Sequence, residues 1–290
     1  MATFPIVLVH GIARFDILAV IIRDKLKLAD HGHGENFEYF KGIREQLAAN
    51  GFTVSTPNLA FAASADLRAE GLRDHVNEVL QETGSPKVHI IAHSMGGIDA
   101  RHMIVDKGMA DRVATLTTIG TPHLGTPVAD RILRPGGALL LKALDQVIDV
   151  DGVADLTTDA RAEFNRRAED SEAKNSVVYR TYAASENFTD VFMPLVTSWL
   201  IVRDEEGKND GLVSVRSQQW ARELIANDGT RNPIVQGEFP FPADHLNEIG
   251  WWDPEEIISP VFSGVSIVKQ ALNYEQRVRD FYLQIARTLP

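Results

Sequence analysis

Ser94 lies between His93 and Met95 in KVHIIAHSMGGIDARH, residues 87–102. A serine hydroxyl is a weak nucleophile until a neighbouring base takes its proton. Its setting here suits that role. Residues 88–92 are almost wholly apolar and β-prone, whereas residues 95–107 have helical spacing. The serine therefore falls on a strand-to-helix corner. Ala92, Gly96 and Gly97 surround it with small side chains, which such a corner needs because larger Cβ substituents would strike the backbone. The corner pushes the hydroxyl out of the sheet, and the Met95 N–H falls at a helix start, where a developing negative charge is favoured. This is the context of the G-x-S-x-G nucleophile elbow, with Ala92 in place of the first glycine.

The base and acid are chosen by order along the chain. In α/β-hydrolases the acid and then the histidine follow the serine. Of nine histidines, only His102, His123 and His245 come after Ser94. His102 lies on the elbow's own helix, and His123 directly follows the strand at 113–119. His245, in a late polar loop, leaves room for an intervening acid. Asp210, in KNDGLV, is the expected acid, just after a strand expected at 199–202. Asp204 is the reserve, and Asp228 reads as a turn residue in Asn-Asp-Gly. The N–H groups of Ile12 and Met95 are the expected oxyanion donors, because Gly11 lets the backbone at the first strand's end approach closely. One such donor contributes about 3–4 kcal/mol to transition-state stabilisation. His10 is read as a structural residue that holds this turn.

These groups need a scaffold. Strands are expected at 6–9, 52–55, 88–92, 113–119, 177–184 and 199–202, with helices at 39–50, 67–83, 95–107 and 274–288. Strand alternates with helix through the first 120 residues, as in an α/β fold with a mostly parallel central sheet and helices on both faces. We read residues 1–290 as one domain with two insertions. One, at about 13–37, has an expected helix at 17–28. The other, at about 128–175, is helical, and Leu139, Leu140, Leu144, Val147 and Ile148 form an apolar stripe. It is either a cap over a cleft or an extra packed layer. His31 and His33, in His-Gly-His-Gly, read as a turn rather than a metal site, which would need further ligands.

Composition narrows the function classes. The 290 residues are 44% hydrophobic and carry a net charge of −11, which disfavours nucleic-acid binding. With no cysteine, a thiol nucleophile, thiolate metal sites and disulfides are excluded. No apolar run is long enough for a transmembrane segment or a signal-peptide core.

PIVLVHG (5–11), EYFKGI (38–43), KVHIIAHSMGG (87–97), TIGTPHLGTP (118–127), LTTDARAEFN (156–165), NDGLVS (209–214) and DHLNEI (244–249) together resemble the bacterial true lipases of the Pseudomonas/Burkholderia/Proteus group. The resemblance implies Ser94, Asp210 and His245 as the triad and Ile12 and Met95 as the oxyanion hole. It also implies a mobile lid within 131–170, and triacylglycerol or other lipid esters taken at an oil–water interface. A structural Ca²⁺ is implied near His245, with Asp190 and Asn247 as side-chain ligands and main-chain oxygens near Trp251 and Glu255. Asn247 stands where a carboxylate is expected and brings no charge. Relatives of this kind are often secreted. A soluble carboxylesterase, thioesterase or phospholipase could use the same triad. A non-catalytic hydrolase-fold protein that binds lipid or a partner is the reading from a different class.

Overall fold

The computed structural model describes residues 4–12, 39–60, 63–144, 152–251 and 267–290. Its centre is a six-stranded parallel sheet built from β1 (Ile6–Val9), β2 (Val54–Ser55), β3 (Val88–His93), β4 (Val113–Ile119), β5 (Val178–Ala183) and β8 (Val235–Glu238). The spatial order is β2-β1-β3-β4-β5-β8. β6 (Glu223–Ile225) and β7 (Arg231–Pro233) form a small antiparallel ribbon apart from it.

Both faces of the sheet are covered, which explains why β1 and β3 are buried at every position. Alternate residues of β1 point to opposite sides. Ile6 and Leu8 join a cluster with Ile43 and Leu47 of α1 (Ile43–Ala49) and with Val278 and Tyr282 of α8 (Ile267–Arg287). Val7 and Val9 join a second cluster with Leu72, Val76 and Val79 of α2 (Ala65–Thr83) and Met103 of α3 (Met95–Asp106). The fold is the expected α/β arrangement with helices on both faces. Ser64 caps α2 at its start, and Gly84, at φ 65°, ends it.

After β4 the chain runs through α4 (Pro127–Leu133), α5 (Ala138–Leu144) and α6 (Thr158–Lys174), the helical stretch expected before β5. Asp130 accepts hydrogen bonds from the Thr158 N–H (3.0 Å) and hydroxyl (2.7 Å), joining α4 to the start of α6. Val147 and Ile148 lie outside the described residues. So does the whole of the 13–37 insertion, including the helix expected at 17–28, His31 and His33.

One strand expectation is corrected. Residues 199–202 belong to α7 (Val196–Glu206). Leu195, Ser198, Trp199 and Val202 are buried, and that spacing of three and four is helical. The β-prone types Trp, Leu, Ile and Val are overridden because only one side of the segment meets the core. The ribbon β6–β7 and the edge strand β8 were not anticipated. Among the described residues no helix is long and apolar enough to cross a membrane.

A buried ion pair joins α3 to α6. Arg101 donates to both Glu172 oxygens at 2.8 Å, with neither side chain exposed, and its guanidinium lies 3.6 Å from the centre of the Trp220 ring. Arg101→Met leaves the Glu172 charge buried and unpaired, and should cost about 3–5 kcal/mol in urea unfolding. Arg101→Met with Glu172→Met should recover most of that loss. A single variant as stable as wild type would contradict this account.

Candidate active site

Ser94 occupies the corner between β3 and α3 with φ 56° and ψ −132°. This region disfavours a side chain, so the conformation costs roughly 1–3 kcal/mol and must be held by its surroundings. The Ser94 N–H donates to the Ile119 carbonyl of β4 (2.9 Å), and the Thr121 hydroxyl donates to the Ser94 carbonyl (2.8 Å). Gly96 makes the close approach possible, because a Cβ there would lie 2.5 Å from the Val9 carbonyl oxygen. Ala92, the departure from the plain motif, is buried in the α2–α3 face and leaves the corner intact.

The corner aims the hydroxyl at His245. Ser94 Oγ lies 2.8 Å from His245 Nε2, and His245 Nδ1 lies 2.9 Å from Asp210 Oδ2. Ser94 lies 151 positions from His245 along the chain and Asp210 lies 35 from it, and all three are buried. Asp210 is fixed by a tight loop after α7, capped by a bridge between Asn209 and Ser214. Its Oδ1 accepts from the N–H groups of Leu212 (2.8 Å) and Val213 (2.7 Å), and its Oδ2 also accepts from Gln218 Nε2 (3.1 Å). Its carbonyl accepts from the His245 N–H at 2.8 Å, so the acid loop also fixes the histidine's backbone. An imidazole oriented through one nitrogen and bonded to a hydroxyl through the other can take a proton from that hydroxyl.

The end of β1 packs directly on Ser94. A Cβ at Gly11 would fall 2.8 Å from Ser94 Cβ and 3.1 Å from Oγ. Ile12, next in sequence, lines the same cavity as Ser94 and His245. Met95 opens α3, where an N–H has no acceptor within its own helix. The cavity measures about 30 Å³ and is walled by apolar side chains, among them Val128, Ile132, Val153, Leu156 and Leu212. That is room for one or two waters.

The other candidates are placed elsewhere. His102 pairs with Asp106 on α3 at 2.8 Å, and buried His123 meets the Thr118 hydroxyl (2.9 Å) while stacking on Trp220. Asp204 and Asp228 are exposed; Asp228 accepts from the Thr230 N–H in the β6–β7 turn. Trp199 and Trp251 are buried packing residues.

Asp190 is exposed, whereas Asn247 is buried beside His245. The Asn247 carboxamide donates from Nδ2 to the Trp251 carbonyl (2.8 Å) and accepts at Oδ1 from the Asp244 N–H (3.2 Å). Glu255 lies outside the described residues. Among the described residues, one group of three His, Asp or Glu side chains is close enough to hold a metal: His93, His245 and Glu248. The nitrogens of both imidazoles there already hold hydrogen bonds within the protein.

Three supporting arrangements had no local signal in the sequence. The first is a chain behind the triad, in which the Tyr39 hydroxyl lies 2.7 Å from His93 Nδ1 and His93 Nε2 lies 2.9 Å from Glu248 Oε2. Burial holds His93 neutral by lowering its pKa well below the ordinary value. Burial, then the charges of Asp210 and Asp244, raise that of Glu248 and hold it protonated. The second is Arg68 of α2, which donates to the carbonyls of His10 (2.9 Å) and Ala60 (2.7 Å) and to Asp99 Oδ2 (2.9 Å). It thereby ties the end of β1 to the serine's helix. Burial raises the Asp99 carboxyl to about 6, against the opposing pull of Arg68. The third is Gln218, which bridges Asp210 and the Ala184 and Val213 carbonyls.

A family model described as the alpha/beta hydrolase fold matches residues 5–196. The chain belongs to the α/β-hydrolase-fold family. It is 30% identical to a triacylglycerol lipase of Vibrio cholerae, over 80% of this chain and 78% of that one. It is 28% identical to triacylglycerol lipase 2 of Saccharomyces cerevisiae, over 98% of this chain and 90% of that one. Among solved structures, the mature form of a Bacillus licheniformis lipase superposes with a TM-score of 0.60 at 21% identity, over 84% of this chain and 86% of that one. At that identity the likeness speaks for the fold.

His10 has the structural role expected of it. Its Nε2 accepts from the Leu59 N–H (3.2 Å), so Nδ1 carries the proton it donates to the Gly11 carbonyl (2.8 Å). Burial, aided by Arg68, lowers its pKa from 6.5 to about 4. The unfolded chain therefore binds a proton that the folded one refuses between those values. The stability this contributes is fully present above pH 6.5 and is lost as pH falls towards 4, a change of roughly 3 kcal/mol. The unfolding free energy of His10→Asn should fall less steeply than that of wild type across this window, as measured by urea titration at several pH values. Equal slopes would contradict the assignment.

Proposed function

We propose that the chain hydrolyses carboxylic esters through an acyl-enzyme on Ser94, and that its preferred substrates are medium- to long-chain acyl esters such as triacylglycerols. The observation that carries this reading is the hydrogen bond between Ser94 Oγ and His245 Nε2, with Nδ1 of the same ring on Asp210. The match to triacylglycerol lipases over most of the chain supports the substrate class. We also place the chain with the Pseudomonas/Burkholderia/Proteus lipases, on the seven segments quoted above. A 36% identity over 130 residues to a Burkholderia plantarii triacylglycerol lipase supports this, although it spans 44% of this chain and 32% of that one.

The geometry supports the following mechanism. His245 takes the Ser94 proton as Oγ attacks the ester carbonyl, and Asp210 stabilises the imidazolium that results. The oxyanion is received by the N–H groups of Ile12 and Met95. His245 passes its proton to the departing alcohol. Water then attacks the acyl-enzyme by the same route and releases the acid. Catalysis needs no cofactor in this scheme.

A cavity of about 30 Å³ beside the hydroxyl cannot take an acyl chain, so wall residues must move. The lid reading of 131–170 accounts for this, because Ile132, Val153 and Leu156 form part of that wall. The joint between Asp130 and Thr158 would keep the base of α6 in place while α5 shifts. Displacing apolar wall residues exposes a surface suited to acyl chains or to an oil interface. Leu144 is buried and Leu140 packs on the same cluster.

Ser94→Ala should lower kcat by about 10⁵–10⁶ and abolish fluorophosphonate labelling without loss of folding, while Asp210→Asn should lower it about 10⁴-fold. Folded wild type that does not label would point instead to a non-catalytic binding protein. Rates on p-nitrophenyl esters should rise with chain length and extend to emulsified triglyceride. A profile confined to short soluble esters would favour a carboxylesterase. Alanine at Leu140 and Leu144 should change activity on emulsions more than on short esters, and equal changes would remove the lid.

A further inference from the structure

The loop that carries His245 has to be fastened, because the imidazole's position depends on it. In the family the chain resembles, a calcium ion does this. Such an ion is held only by oxygens, each turning a lone pair towards it. The expected donors on described residues of this loop are the Asn247 carboxamide oxygen and the Trp251 carbonyl. The structure commits both to other partners. Asn247 Nδ2 donates to the Trp251 carbonyl at 2.8 Å, so an N–H group faces the oxygen that would face a cation. Asn247 Oδ1 is turned to the Asp244 N–H at 3.2 Å. The orientation of the amide is set by these two partners. Rotating it to free an oxygen would set its NH₂ against the Asp244 N–H and its oxygen against the Trp251 carbonyl.

Asp244 makes the second connection an ion would make. Its Oδ2 accepts from the N–H of Phe192 (2.9 Å), two residues beyond Asp190. Its Oδ1 accepts from the N–H groups of Leu246 and Asn247 (both 2.9 Å). Asp244 and Asn247 are both buried. One carboxylate therefore ties the segment after β5 to the histidine loop, and one carboxamide ties the loop to Trp251. We propose that this hydrogen-bonded clamp of Asp244 and Asn247 replaces calcium, and that the protein neither binds the ion beside His245 nor depends on it. An amide is suited to this bridge because it offers a donor and an acceptor at once. A carboxylate at 247 could only accept, and would face the Trp251 carbonyl without a proton to share.

The test uses the full chain and does not depend on its ester chemistry. Melting temperature is measured after exhaustive chelation and through a titration with calcium chloride, with equilibrium dialysis of ⁴⁵Ca alongside. We expect no shift in melting temperature and no saturable uptake of the ion. A saturable rise with calcium, or a fall on chelation, would overturn the proposal. Asn247→Ala should lower the melting temperature by roughly 3–6 °C, and calcium should not restore it. A variant that melts with wild type would show that the amide is not the fastening. The wild-type titration stands by itself if the variant does not fold.

Discussion

The backbone of Ser94 is held where a side chain is disfavoured, and the site depends on that constraint. At φ 56° and ψ −132° the residue turns its hydroxyl out of the sheet and towards His245. Nothing in the serine stabilises this conformation. The central place of β3 does, because β1 and β4 flank it and supply the Val9 carbonyl that only a glycine at 96 can approach and the Ile119 carbonyl that takes the Ser94 N–H. Arg68 then locks the end of β1 to Asp99 on α3, so the expected oxyanion strand and the serine's helix are cross-linked from behind. Strain at one residue is thus offset by the hydrogen bonds of its backbone to Ile119 and Thr121, with Arg68 bracing the strand and helix on either side.

Electrostatics around that corner separate charged from neutral groups. Asp210 accepts from two backbone N–H groups and a carboxamide. Glu248 lies 4.0 Å from the same His245 nitrogen, yet it is buried against Asp210 and Asp244 and stays protonated. Two carboxyl groups near one imidazole are therefore held differently, one by three hydrogen-bond donors and the other by burial beside like charges. His93, between Tyr39 and Glu248, is neutral for the same reason of burial and completes an uncharged layer behind the triad.

Much of this was legible in the residues. Buried parallel strands announce themselves as unbroken apolar runs, so β1, β3 and β4 and the serine after β3 could be read directly. The acid and histidine could be chosen by chain order, because a doubly covered sheet leaves few late loops at its carboxyl edge. What could not be read is instructive. Trp199–Val202 carries β-prone types, and only its spacing with Leu195 and Ser198 betrays a helix. β8 is an edge strand with no apolar run, since three of its four residues are exposed. Arg68, Gln218 and Glu248 look like ordinary surface residues. Each has at least one partner distant in the chain, Asp99 for Arg68, Ala184 for Gln218 and His93 for Glu248, which no local pattern records.

The account stands on the convergence of hydroxyl, imidazole and backbone donors on one reacting carbon. A crystal structure of the protein inactivated by an alkyl phosphonate ester tests this most directly, because the tetrahedral phosphorus mimics the species formed during attack. The account predicts phosphorus bonded to Ser94 Oγ, its oxygen within hydrogen-bond reach of the N–H groups of Ile12 and Met95, and the alkyl chain between α4 and Leu212. Phosphorus on another residue, or an oxygen turned away from both N–H groups with His245 out of reach, would contradict it.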